Sequence, residues 1–197
     1  MSRARTLANY VSSGVTAAEF DYLDGVTSAV QTQLDSAGGG LFSSYAILLW
    51  EESANTASGT LTSGAWRTVT INTELADPDN SVTISSNQFT LGAGTYYIEW
   101  MCEAVKTTEV HSQLYDITGT ATIKSGMSGW TAAGAYGDAS NQTHMLQGCA
   151  RVTPSGSNAY EVQLYAGTTR TSTGFGIMSN HDSKNEHYAT VKIYKES

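Results

Sequence analysis

Four histidines are the side chains best suited to acid–base or metal chemistry, and they are scattered along the chain at His111, His144, His181 and His187. No two of them have the His-x-His spacing with which one strand presents two rings to a metal ion. The sequence also lacks a Gly-x-Ser-x-Gly elbow, a P-loop, a His-Glu-x-x-His motif and a Cys-x-x-Cys pair. We therefore expect surface or hydrogen-bonded histidines, no metal ion, no cofactor and no catalytic residues.

Paired carboxylates are a further source of chemistry, because glycosidases use two carboxyl groups about 5 to 10 Å apart. Glu99 and Glu103 share one face of a predicted strand, but residues i and i+4 of a strand lie about 13 Å apart. Cleavage of a polysaccharide would need a pair from different strands, so a polysaccharide-degrading enzyme is the less favoured alternative.

The acidic segment 74–80 offers oxygen ligands of the kind that Ca²⁺ prefers. It lacks the EF-hand spacing, and Asp77-Pro78-Asp79-Asn80 is also a strong turn signal. We predict a solvated turn. The cysteines, Cys102 and Cys149, are too few for a disulfide framework, and residues 1–14 lack the apolar run of a secretory signal. Both thiols are therefore expected to be reduced, as in a cytosol.

Two segments have the composition of binding loops. Residues 125–142 are rich in Gly, Ser and Ala and carry Trp130 and Tyr136, whose rings suit a sugar face or a partner side chain. Residues 179–186 are polar and suit hydrogen bonding to a glycan or to water. The candidate receptor-binding residues are Trp130, Tyr136, His181, Asp182 and Asn185. For Trp130 and Tyr136, packing between subunits is an open alternative.

The overall charge excludes several partners. The 197 residues carry a formal net charge of −8, and only 14% of them are charged. This leaves no basic stripe to neutralise phosphates, so nucleic-acid binding is not expected. No stretch approaches the roughly 18 apolar residues of a membrane helix, so membrane insertion is not expected either.

The chain changes character at Ser36–Gly40, a glycine-rich joint. After it, short β-branched and aromatic runs alternate with Gly, Asn, Asp and Ser clusters, which predicts an all-β sandwich or barrel. Strands are predicted at residues 45–51, 66–73, 81–85, 88–90, 95–105, 111–118, 121–125, 144–152, 159–166, 174–178 and 188–195. In the run 96–104 every second residue is apolar, so that face should be core.

Before the joint, Thr16-Ala17-Ala18-Glu19 is a capping box that predicts a helix start. Leu23, Val26, Val30 and Gln33 follow with 3–4–3 spacing, the seam of a short coiled coil, and Leu34 lies beside it. So short a helix needs a packing partner, either copies of itself or the head of its own chain. The predicted divisions are residues 1–14, an attachment peptide; 15–35, a helical trimerisation stalk; 36–40, a linker; and 41–197, the head.

The segment GVTAAEFDYLDGVTSAVQTQL, residues 14–34, closely resembles a segment of bacteriophage tail fibres and related fibres. The resemblance implies short helices around a three-fold axis, and hence a homotrimer. It implies a virion structural protein, assembled in the host bacterial cytoplasm, that adsorbs to a bacterial surface glycan. The attachment peptide, with Arg3 and Arg5, would then dock on another virion protein. A stalk of some 20 residues reaches only about 30 Å, so a capsid head fibre or decoration protein is the alternative.

A second resemblance concerns the head. Phe89-Thr90-Leu91-Gly92-Ala93-Gly94-Thr95-Tyr96-Tyr97-Ile98 is similar to a strand entry of the complement-globular-head and tumour-necrosis-factor superfamily. It implies a trimeric C-terminal jelly-roll head, with Gly94 making a tight entry while Tyr96 and Ile98 point into the core.

Overall fold

The computed structural model describes residues 40–130, 142–179, 181 and 183–197, together with Thr32. The chain divides into two units between Gly40 and Leu41, and the second unit, Leu41–Ser197, is described below. Several sequence predictions fall outside the described residues and remain predictions. They concern Arg3, Arg5, Leu23, Val26, Val30, Gln33, Leu34, Tyr136 and Asp182.

Eleven strands run through the described part of the head, and their bounds follow. They are β1 Phe42–Glu52, β2 Trp66–Thr68, β3 Thr73–Ala76, β4 Val82–Ser85, β5 Gln88–Leu91, β6 Tyr96–Val105, β7 Glu109–Asp116, β8 Ala121–Trp130, β9 Thr143–Val152, β10 Asn158–Ala166 and β11 Glu186–Glu196.

The strands form two antiparallel sheets. The first sheet has the order β3-β1-β11-β6-β9. The second has the order β4-β5-β10-β7-β8, and β2 pairs with the C-terminal half of β10. Residues from both sheets form one buried apolar cluster between them. The predicted all-β sandwich is confirmed.

Strand β6 shows how the sequence sets the core. Its alternate residues Tyr96, Ile98, Trp100, Cys102 and Ala104 are all buried. The intervening side chains, such as Tyr97 and Met101, lie on the outer face of the first sheet and are partly exposed. The predicted assignment of the two faces is therefore confirmed.

The glycine at the entry to β6 has the predicted role. Gly94 has a φ of +148°, and a Cβ atom there would lie 3.0 Å from the Lys195 side chain. A larger residue would strain the backbone and press on β11. Tyr96 and Ile98 follow directly into the core, as expected.

One predicted strand is in fact two. Residues 66–73 were expected to be continuous, but the chain crosses from one sheet to the other between β2 and β3. The Val69 amide donates to Val162 in the second sheet, whereas the Asn72 amide donates to Leu49 in the first. Val69 and Ile71 are both buried in the crossing, which explains its strand-like apolar pattern.

A second predicted strand, at residues 174–178, is absent. This segment is a loop that seals one end of the sandwich: Phe175 packs edge-on against Trp50, with ring centroids 5.5 Å apart. Gly176 has a φ of +149°, and a Cβ atom there would meet the Tyr188 ring. Burial of an aromatic side chain thus produced the strand-like pattern without strand pairing.

Residues 77–80 of the acidic segment form the predicted turn, whereas residues 74–76 belong to β3. The Asp77 carboxylate accepts hydrogen bonds from the Ser81 amide and hydroxyl and from the Val82 amide. Its oxygens are therefore used to close the turn that leads into β4.

Candidate functional site

The outer face of the first sheet carries aromatic side chains in register. Tyr45 of β1 lies opposite Tyr194 of β11, which lies opposite Tyr97 of β6. The Phe42 ring packs against Tyr194, with centroids 5.0 Å apart, and lies 6.5 Å from the Tyr97 ring. We call these four side chains the aromatic face. It covers three adjacent strands near the beginning of β1.

Beside the aromatic face lies a mixed row. Lys192 of β11 is the direct cross-strand partner of Glu99 of β6, which in turn lies opposite Cys149 of β9. The thiol of Cys149 next to Tyr97, together with burial and the charge of Glu99, raises the pKa of Tyr97 to about 12. The phenol is neutral at physiological pH, as tyrosine ordinarily is, so covering it would bury no charge.

Methionines extend this apolar surface to the edge of the sandwich. A cleft of about 420 Å³ runs over β6 and β9 to Met127 of β8, and Met101 lines it. Met127 and Met145 are 55% and 46% exposed. Met side chains adapt to irregular partner surfaces. Exposed aromatic and methionine side chains that lie close together in this way are typical of surfaces that contact another protein.

The described strand ends that flank the two candidate receptor-binding segments lie at one end of the sandwich. Glu52 at the end of β1 pairs with Glu186 at the start of β11, and Val105 pairs with Thr143. Strand β8 ends nearby. Its last residue, Trp130, pairs with Glu109, the first residue of β7. Only three residues separate the start of β7 from the end of β6. Both predicted binding segments thus leave the sandwich at the end opposite Leu41, where the chain enters the head.

The structure corrects the setting of Trp130, which was expected in a loop. β8 continues to Trp130 instead of ending at residue 125, and the side chain is 67% exposed at the strand end. In the other segment His181 is exposed, whereas the Asn185 amide donates to Glu51 of β1 over 2.6 Å. Asn185 therefore fastens its loop to the first sheet, and its availability to a ligand is reduced.

The remaining reactive side chains are separated from one another. Cys102 points into the core and Cys149 outward, and neither is in a disulfide. Burial raises the pKa of the Cys102 thiol to about 12. Among the residues that the structure describes, no group of three or more His, Cys, Asp or Glu side chains could hold a metal ion. No helix within the same residues is long and apolar enough to cross a membrane.

Sequence reasoning missed the aromatic face as a unit. Its tyrosines come from strands that are about 50 and 100 residues apart in the chain, and only cross-strand register brings them together. The available signal was the run Tyr96-Tyr97, in which one ring must face outward because its neighbour faces the core.

Solved structures share this two-sheet arrangement. The globular domain of zebrafish complement 1qA aligns over 77% of this chain and 96% of its own, with 15% identity and a TM-score of 0.50. The tumour necrosis factor Eiger from S. frugiperda aligns over 78% and 92%, with 12% identity and a TM-score of 0.52. Murine APRIL at pH 5.0 aligns over 77% and 98%, with 8% identity and a TM-score of 0.50.

These likenesses define the fold class: the head is a jelly roll of the complement-head and tumour-necrosis-factor type. No protein-family model matches the sequence, and no curated protein does.

Proposed function

We propose that the chain is a non-enzymatic, homotrimeric fibre protein of a bacteriophage particle, and that its jelly-roll head takes part in recognising the bacterial surface. The observation that carries the proposal is the aromatic face with its methionine-lined extension. An apolar surface on a jelly-roll head is stabilised when copies of the chain cover it. The stalk segment 14–34, which resembles phage fibres, supports the same symmetry.

In this proposal the ends of the head have different tasks. The chain enters at Leu41, and the segments with Trp130 and His181 leave at the opposite end. Attachment to the particle belongs to residues 1–14, with Arg3 and Arg5, and receptor contact to Trp130, Tyr136, His181, Asp182 and Asn185. Three weak sites on one trimer raise the effective affinity by roughly 10² to 10⁴ without a new contact.

A capsid head fibre is the second candidate, because a stalk of some 20 residues is short, about 30 Å. Antibody labelling of particles in the electron microscope separates the two locations: label at the tail supports a tail fibre, and label at the capsid supports a head fibre. Particles that carry no label contradict both.

Adsorption tests the receptor role. Purified protein should compete with particles for host cells, and the combined Trp130→Ala and Tyr136→Ala variant should compete less well than the wild type. Equal competition by a folded, trimeric variant would show that these side chains are not the receptor contact.

A further inference from the structure

The outer face of the second sheet carries a third surface, which is separate from the core and from the aromatic face. Its side chains lie in three rows across neighbouring strands, because the residues between them, such as Val162 and Leu164, point into the core. The rows are Trp66, Tyr165 and His111; Thr68, Gln163 and Gln113; and Gln88, Glu161 and Tyr115. We call this surface the polar platform.

A chain of hydrogen bonds fixes the polar side chains of the platform. The Thr122 hydroxyl of β8 donates to the Gln113 carboxamide oxygen over 2.9 Å, and Gln113 Nε2 donates to Gln163 Oε1. Gln163 Nε2 and Gln88 Nε2 then donate to the two carboxylate oxygens of Glu161. The hydrogen bonds from Thr122, Gln113 and Gln163 thus lead in sequence to the Glu161 carboxylate, and Gln88 donates to the same carboxylate.

This ordering removes a cost of ligand binding. Gln113 and Glu161 are only 3% and 5% exposed although they belong to the outer face. Their rotamers are held in the free protein, so a ligand would not have to order them. Gln163 and Gln88 stay partly exposed, and each bond uses one of the two N–H groups that a carboxamide nitrogen carries.

Aromatic rings border the polar rows. Trp66 is 39% exposed, and its ring meets Tyr165 edge to face with centroids 5.6 Å apart. Tyr115 lies on the far side, opposite Glu161. Such rings offer apolar faces to the C–H groups of a sugar, and the carboxamides between them offer hydrogen bonds to its hydroxyls.

The size and charge of the platform restrict the ligand. Three rows two residues apart span about 13 Å, and three strands span about 10 Å, the extent of about two or three pyranose rings. The nine side chains of the rows include one carboxylate and no lysine or arginine. With a net charge of −8 on the chain, an acidic ligand would be repelled.

We infer that the polar platform is a binding site for a neutral oligosaccharide. The inference rests on the proposed recognition of a host glycan, and it adds a contact on a sheet face to those proposed around Trp130 and His181. The platform lies on the side of the sandwich away from the aromatic face, so it stays accessible in an assembly whose aromatic faces meet around one axis. Glu161 is its positioning residue, because it orients Gln163 and Gln88.

Nuclear magnetic resonance of the full-length protein tests the site without any mutation. The chain has four tryptophans, Trp50, Trp66, Trp100 and Trp130. Their indole N–H signals can be followed during titration with neutral trisaccharides of glucose, mannose, galactose or N-acetylglucosamine. At least one trisaccharide should shift the Trp66 signal. A trisaccharide that carries a carboxylate should shift it less.

Variants locate the contact. Trp66→Ala should lower the affinity for that trisaccharide about tenfold or more. Leu75→Ala, which removes an exposed apolar side chain from β3 in the other sheet, should leave it unchanged. If Trp66→Ala alters the far-ultraviolet circular dichroism, the affinity of Tyr165→Phe for the trisaccharide is compared with that of the wild type instead. A shift of the Trp130 signal that saturates with trisaccharide while the Trp66 signal stays unchanged would overturn the inference. The absence of any shift with every neutral trisaccharide would overturn it too.

The outcomes also separate this inference from the proposed function. Protein that adsorbs to host cells but binds none of the trisaccharides overturns the platform and leaves the fibre proposal standing. Trisaccharide binding through Trp66 by a protein that is monomeric, or missing from particles, overturns the fibre proposal and supports the platform.

Discussion

Gly148 and Gly126 make room for the Trp100 indole where the two sheets meet at the β8–β9 edge. A Cβ atom on Gly148 would meet the Trp100 ring, and one on Gly126 would meet the same ring and the Ser112 hydroxyl. The indole N–H donates to that hydroxyl over 3.3 Å. Close packing against the two glycines and this hydrogen bond therefore hold the ring in place.

Gly148→Ala should accordingly destabilise the head by about 1–3 kcal/mol, the usual cost of overpacking a core. Denaturant titration at one fixed protein concentration measures it. Gly156→Ala is the control, because a Cβ atom there has open space, and its effect should stay within about 0.5 kcal/mol. Equal losses for the two variants would contradict the packing of Trp100 between the glycines.

Alkaline pH should weaken the head through its buried phenols. Burial, with a smaller effect of Asp116, raises the pKa of Tyr160 from 10.0 to about 12, and burial raises that of Tyr188 to about 12. The unfolded chain loses these protons first, so the folded state holds more protons between pH 10 and 12. The free energy of unfolding must then fall as the pH rises through this range.

The measurement is denaturant titration between pH 9 and 12, with Tyr160→Phe as the variant. The variant should lose stability less steeply above pH 10 because one raised pKa has been removed. A slope identical to that of the wild type would mean that Tyr160 titrates alike in the folded and unfolded chain.

Single strands were predictable where a period of two coincides with burial on one face, as in β6. The same pattern gave wrong strand predictions at residues 69–72 and 174–178, where Val69, Ile71 and Phe175 are buried without strand pairing. An apolar, β-branched run reports burial, and it does not tell which sheet, or whether any sheet, supplies the hydrogen bonds.

The pairing of strands was harder to predict than the strands themselves. The hydrogen bonds of the polar platform that link Gln88 to Gln163 through Glu161 join residues up to 75 positions apart. In the sequence, the platform is indicated only within β10, where Glu161, Gln163 and Tyr165 alternate with core residues. One strand predicts which side chains share a face, but only long-range pairing decides which strands become neighbours. The candidate surfaces therefore could not be assembled from the sequence, and the binding role of the segments near Trp130 and His181 stays a prediction.

A charged residue in the aromatic face tests whether copies of the chain cover this surface in the assembly. Tyr97→Glu should raise the concentration at which the assembly dissociates by about tenfold or more, because covering the face would then bury a carboxylate without a partner. Thr83→Glu adds the same charge at an exposed site of β4 in the second sheet. Sedimentation velocity compares the two, and equal weakening by both would remove the aromatic face from the assembly.

The two outer faces of the sandwich differ in a way that suits different partners. The first sheet presents tyrosines, Phe42 and methionines, which favour a protein contact, while the second presents an ordered polar network with bordering rings. In a homotrimer that covers the first, three copies of the second would be displayed outward, which suits multivalent attachment.

The mass of the protein in solution tests the proposed assembly most directly. Sedimentation equilibrium of the full chain at micromolar concentration should give a species of three times 20.9 kDa, with no dimer as the main component. The trimer is expected because segment 14–34 resembles fibre segments that surround a three-fold axis, and because copies of the chain would cover the aromatic face of each head. A stable monomer of 20.9 kDa under the same conditions would contradict the account.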